Sequence, residues 1–129
     1  MRSLDTNIVV RIIVQDDKAQ TRTAAAALDE KCFVSLTVLA ETEWVLRAIY
    51  SLSRETIAKM LMTFLDGPTV SVEEPALVRW AIDRFARGAD LADMLHLVGS
   101  RTSTQFATFD QHMGKDAGAD APVSIEVLR

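Results

Sequence analysis

A chain of 129 residues, 49% of them apolar, is the size of one domain with one buried core. Five glycines and three prolines against 25% charged residues exclude a low-complexity or disordered chain. Fourteen basic against 18 acidic residues give a net charge of −4, which speaks against a polyanionic partner unless several acids are gathered on cations and the arginines elsewhere are left to face phosphate.

In chain order, residues 2 to 5 read as a very short first strand. The run Ile8 to Val14 is apolar and ends at Gln15-Asp16-Asp17, and its period leaves helix and strand open. Asp5 falls where a signal peptide would build its apolar run, and no stretch nears the roughly 20 apolar residues that span a bilayer, so a soluble, cytoplasmic protein is expected. Ala19 to Leu28 favours helix. Cys32 to Leu36 has the make-up of a buried strand, in which the sole cysteine is a core residue with no disulfide partner. From Thr37 to Tyr50 apolar residues recur at Val38, Val45 and Ile49 and at Leu39, Leu46 and Tyr50, a helical spacing with Thr37 as N-cap. Ser53 caps the next helix, with Ile57, Leu61, Phe64 and Leu65 on its apolar face and Gly67-Pro68 as its stop. Thr69 to Val72 is a short strand. Pro75 opens a helix carrying Leu77, Trp80, Ala81 and Phe85, with Gly88 near its end. Asp90 begins another, faced by Leu91, Leu95 and Val98. Gln105 to Phe109 is a strand, residues 114 to 120 are mostly loop, and Val123 to Ile125 is a last strand. Strands alternating with helices over the whole chain indicate a single α/β domain, residues 1–129, with a parallel sheet covered on both faces.

Ligands of open α/β sheets bind beyond the carboxyl ends of the strands, so acids at those ends draw attention. Asp5 ends the first strand in Asp5-Thr6-Asn7, and Asp110 ends another in Thr108-Phe109-Asp110. Either alone is as well explained as an N-cap or Asx-turn. Glu41 lies early in the helix after the second strand, at the edge of an apolar stripe with Val45 and Ala48, while Glu43 projects on a different side near Arg47 and Tyr50. Asp90 and Asp93 share the first turn of their helix, where the dipole favours anions. The case rests on the set. Gathered carboxylates repel and raise one another's pKa unless hard divalent ions screen them. One cysteine, with His96 and His112 at unrelated positions, gives no zinc spacing, and both histidines read as solvent-facing. No G-x-S-x-G elbow, G-x-x-x-x-G-K-[ST] loop or G-x-G-x-x-G turn is present.

Leu4-Asp5-Thr6-Asn7, Ser35 to Glu41, Asp90-Leu91-Ala92-Asp93-Met94-Leu95-His96 and Thr108-Phe109-Asp110 together resemble the PIN-domain family, and most of all the VapC-type toxins of toxin–antitoxin pairs. The resemblance covers nearly the whole chain. It implies a three-layer α/β/α fold with a mostly parallel sheet, an Mg²⁺- or Mn²⁺-dependent endoribonuclease, a homodimer and a small antitoxin partner. The family's catalytic acids look like Asp5, Glu41, Asp93 and Asp110, with Asp90 an accessory metal ligand. Thr6 and Asn7 resemble the polar pair beside the first acid, and Thr108 the hydroxyl beside the last. Arg47, Arg84, Arg87 and Arg101 are the candidates to hold RNA. Arg2 and Ser3 depart from the apolar first strand usual in the family, which puts the stability of that strand in doubt.

Three other readings are weighed, and one of them, a haloacid-dehalogenase-like phosphatase, fails because Asp5-Thr6-Asn7 lacks the second aspartate two places on. A phosphorelay receiver domain shares the size and an acidic, Mg²⁺-binding pocket, but its acid pair at the first strand and its lysine after the last are missing. A PIN-like fold without catalysis, acting as a binding module, is opposed by the presence of all four acids.

Overall fold

The computed structural model describes residues 1–129. Strand β1 (Arg2–Ser3) is only two residues long, because the Asp5 side chain accepts the Thr6 N–H at 2.8 Å and starts helix α1 (Thr6–Val14) at once. That settles the apolar run after Asn7 as helix. Val9 and Val10 are buried, Ile8, Ile12, Ile13 and Val14 pack half-buried against the core, and Gln15 closes the helix in the left-handed region at φ 58°. The anchor of the polar first strand is the residue after it: Leu4 is buried, and its N–H bonds the Phe33 carbonyl at 2.8 Å.

Asp17 caps α2 (Lys18–Ala26) through the Gln20 N–H, and a 3₁₀ turn, Ala27–Asp29, leads to β2 (Cys32–Val34). Helix α3 (Leu36–Ala48) is capped two residues earlier than the sequence suggests: Ser35, not Thr37, is the N-cap and accepts the Val38 N–H at 3.2 Å. Thr37 instead bonds the Ser35 hydroxyl. Helix α4 (Arg54–Leu65), capped by Ser53, precedes β3 (Val70–Val72), and Pro75 opens α5 (Pro75–Ala86) as expected. Helix α6 (Leu91–Gly99) is capped by Asp90, whose carboxylate accepts the Asp93 N–H at 2.9 Å. After β4 (Gln105–Thr108), the stretch read as loop contains a short helix, α7 (Met113–Ala117), before β5 (Ser124–Val127). Met113 and Ala117, one turn apart, are both buried, so tertiary packing supplies what five residues of weak propensity lack.

All pairings are parallel, but the hydrogen-bonded ladder is split. One sheet runs β1-β2-β3, with Arg2 opposite Cys32 and Cys32 opposite Val70; the other is β4-β5, with Gln105 opposite Ser124. Helices and parallel strands make the three-layer α/β/α arrangement, its core filled by Leu39, Leu46, Ile57, Leu61, Ile82, Phe85, Leu91, Met94 and Leu97. No helix is long and apolar enough to cross a membrane.

Candidate active site

Four of the acids singled out in the sequence, Asp5, Asp90, Asp93 and Asp110, sit at or within a turn of an element's end, while Glu41 lies mid-way along α3. Asp5 leaves β1 and caps α1. Asp110 leaves β4 in a turn held from both sides: its N–H donates to the Thr108 hydroxyl at 3.0 Å, and its Oδ1 accepts the His112 N–H at 2.8 Å. Asp90 is committed to capping α6 through Oδ2. Asp93, one turn in, is half-buried and has no cap to make.

Asp93 is the electrostatic focus. Burial, first of all, pushes its carboxyl above the usual aspartate range; Asp90, Asp110 and Asp116 add repulsion, and only His96 pulls the other way. Asp90, Asp93, Asp110 and Asp116 therefore share one field, fed by the start of α6, the end of β4 and the outer side of α7. Asp116 was not anticipated, since the stretch around it read as loop; the four-residue spacing of Met113 and Ala117 is the signal that would have placed it on a helix. Asp5 and Glu41 are exposed and make no hydrogen bond or ion pair with these acids. No three Asp, Glu, His or Cys side chains approach closely enough to hold an ion between them.

On α3 the carboxylates exchange the places expected of them. The stripe turned to the core is Leu39, Thr42, Glu43 and Leu46, so the buried acid is Glu43, 3% exposed, and Glu41 faces solvent. Glu43 accepts from Arg47 Nε at 2.8 Å. The other arginines are engaged. Arg84 holds the end of α7, donating to the Asp116 and Lys115 carbonyls at 2.7 and 3.2 Å. Arg87 pairs with Asp83 at 3.0 Å, and Arg101 with Glu73 at 2.7 Å and Glu74 at 3.4 Å. His96 and His112 are exposed, and Cys32 is fully buried.

The donor chemistry suits a hard divalent cation: carboxylate oxygens, with no thiolate in reach, since burial also pushes the Cys32 thiol up. Mg²⁺ keeps several waters and is commonly held by one or two carboxylates, so a closed three-ligand set is not needed. Beside Asp5, Thr6 is 4% exposed and its buried Oγ1 has no hydrogen-bond partner, a polar atom left over by the fold where the acids begin.

A family model for the PIN domain matches residues 3–115. The chain belongs to the PIN domain family. No curated protein and no solved structure matches it. The matched region takes in Asp5, Glu41, Asp90, Asp93 and Asp110 and stops one residue short of Asp116. PIN domains are nuclease-type folds that generally work with divalent metal ions, and membership sets the receiver-domain reading aside.

Proposed function

We propose that this PIN domain is an Mg²⁺- or Mn²⁺-dependent endoribonuclease that hydrolyses RNA phosphodiester bonds as the toxin of a toxin–antitoxin pair. The observation that carries the reading is Asp93, half-buried and pressed by Asp90, Asp110 and Asp116, an arrangement that a cation would relieve. Asp93 and Asp110 would hold the ion, with Asp5 approaching it from the end of β1, Glu41 from the middle of α3, and Asp90 supporting Asp93 from the cap. When bound, the ion supplies neutralisation of charge on the phosphate and a water acidic enough to serve as nucleophile at neutral pH.

The chain's own residues do the rest. Asp110 is aimed by the His112 N–H, and Thr108 fixes the turn that carries it. Thr6 offers a buried hydroxyl beside Asp5. The sole cysteine is buried in β2, its Sγ donating to the Thr69 carbonyl at 3.5 Å, so water is the attacking group. Self-association and antitoxin capture are supported by large apolar side chains left exposed near the end of α3, Trp44 at 51% within the helix and Ile49 at 65% in its C-cap.

The test is RNA cleavage by purified protein with Mg²⁺ or Mn²⁺, repeated with EDTA. Cleavage should stop on chelation, and zinc should not be required. Equal cleavage in EDTA by a preparation free of contaminating nuclease overturns the metal-dependent reading. RNA binding without cleavage in any metal would point instead to the binding-module alternative.

A further inference from the structure

Glu43 is the one charged residue buried in this chain, and the compensation it receives is slight. Its partner, Arg47, lies one turn on, with a side chain 49% exposed. A half-exposed partner repays little of the cost of taking a carboxylate out of water, and an apolar residue in place of a buried carboxylate is often as stable or more so. Stability is a poor reason for an acid here. What the pair does achieve is placement. The contact takes the Nε edge of the guanidinium, and neither terminal NH₂ group makes any other hydrogen bond, so the far edge of the fork is held in place yet left without an acceptor.

Arg47 belongs to the helix that packs against the one carrying Asp90 and Asp93. It is in the last turn of α3, and Asp90 caps α6 at the edge of the acid cluster. The Arg47 charge is held first by Glu43 and, at longer range, by Asp90. A carboxylate beside the fork marks a side from which an oxyanion reaches it, and once a cation neutralises the acids, phosphate is the anion left to take that place. Arg84 and Arg101 have spent their forks on carbonyls and carboxylates, and Arg87 is tied only to an exposed aspartate.

We propose that Glu43 is a positioning residue that sets Arg47 as a clamp for one phosphate of the RNA strand beside the acid site. The inference rests on the nuclease reading above. A planar guanidinium held by one edge suits bidentate contact with phosphate, which lysine cannot reproduce.

The experiment measures binding of a labelled single-stranded oligoribonucleotide of mixed sequence over a range of KCl, with KM and kcat for its cleavage, in the full chain. In the paired variant Glu43→Gln with Arg47→Gln, which leaves no unpaired buried charge, Kd and KM should rise about tenfold, the fold-change expected from losing one charge-assisted contact. The salt slope should become shallower by about 0.7, the value for one single-strand phosphate, and kcat should change much less. Glu43→Gln alone should raise KM while keeping the slope, because the cation remains but is no longer fixed. Arg47→Lys, which keeps a charge opposite Glu43, guards against misfolding of the paired variant and should weaken binding about threefold or more with the slope retained, an intermediate loss on the same scale. Wild-type KM and slope in a folded paired variant, or wild-type affinity in Arg47→Lys, would overturn the clamp. Wild-type protein that neither binds nor cleaves RNA would instead overturn the nuclease reading, and the clamp with it.

Discussion

Asp90 and Asp93 share a helical turn and divide its work. Asp90 caps the helix, so Asp90→Ala should lower stability by about 1 kcal/mol, and Asp90→Asn, which caps as well, should lower it little. Asp93 has no such duty; Asp93→Asn should abolish most cleavage without lowering the melting temperature. Rates and melting curves on the three variants check both statements, and full activity in Asp93→Asn would remove Asp93 from the site. The sign of its pH dependence follows from its surroundings. Because the folded state raises the Asp93 pKa, its stabilising contribution is complete below the unfolded aspartate value of about 3.9 and is lost as pH rises through the folded value. In EDTA, Asp93→Asn should therefore melt above wild type at neutral pH, and the gap should close as pH falls. Parallel curves at every pH would contradict the crowding of Asp93.

Caps and closures decide where the elements stop, and each is open to a single substitution. Ser35 caps α3, so Ser35→Ala should cost about 1 kcal/mol by denaturant melting, with Thr37→Ala costing less. Helix α7 depends on Gly118 and Arg84. Gly118 has φ 76°, and a Cβ there would sit 3.0 Å from the Arg84 Cζ and Nη1 atoms, the guanidinium that bonds the last carbonyls of the helix. Gly118→Ala should cost 1 kcal/mol or more, roughly the range for strain at such a backbone. Gly114→Ala, inside α7 with open space around its Cβ, should instead gain up to about 1 kcal/mol from helix propensity. Similar stabilities for the two alanine variants would contradict this account of how α7 is closed.

For the whole molecule the controlling quantity is charge. A net charge of −4 with four acids in one field favours cation binding by the folded chain alone. Mg²⁺ or Mn²⁺ at 100 times its Kd should then raise stability by roughly 2.7 kcal/mol, and Asp93→Asn or Asp110→Asn should shrink that gain. An unchanged melting temperature across a Mg²⁺ titration would count against a shared site. Assembly is a separate matter. Light scattering should find a homodimer, weakened by Ile49→Asp if the end of α3 is the contact, and a monomer across micromolar concentrations would remove that part of the proposal.

The sequence by itself determined the elements whose signals are local. Ser53, Pro75 and Asp90 start helices at the residues that carry the capping chemistry, the apolar runs mark the core, and the acids at element ends are placed there by chain order. Tertiary structure decided what depends on which side of an element meets another. It made Glu43 rather than Glu41 the buried acid of α3, because a shift of two residues turns a helical side chain through about half a circle. It folded residues 113 to 117 into a helix by burying Met113 and Ala117, brought Asp116 into the field of Asp93, and divided the strands between two ladders. It also tied up the charged ends of Arg84 and Arg101 and left the far edge of Arg47 open, since hydrogen-bond partners distant in sequence are set only when the chain has packed.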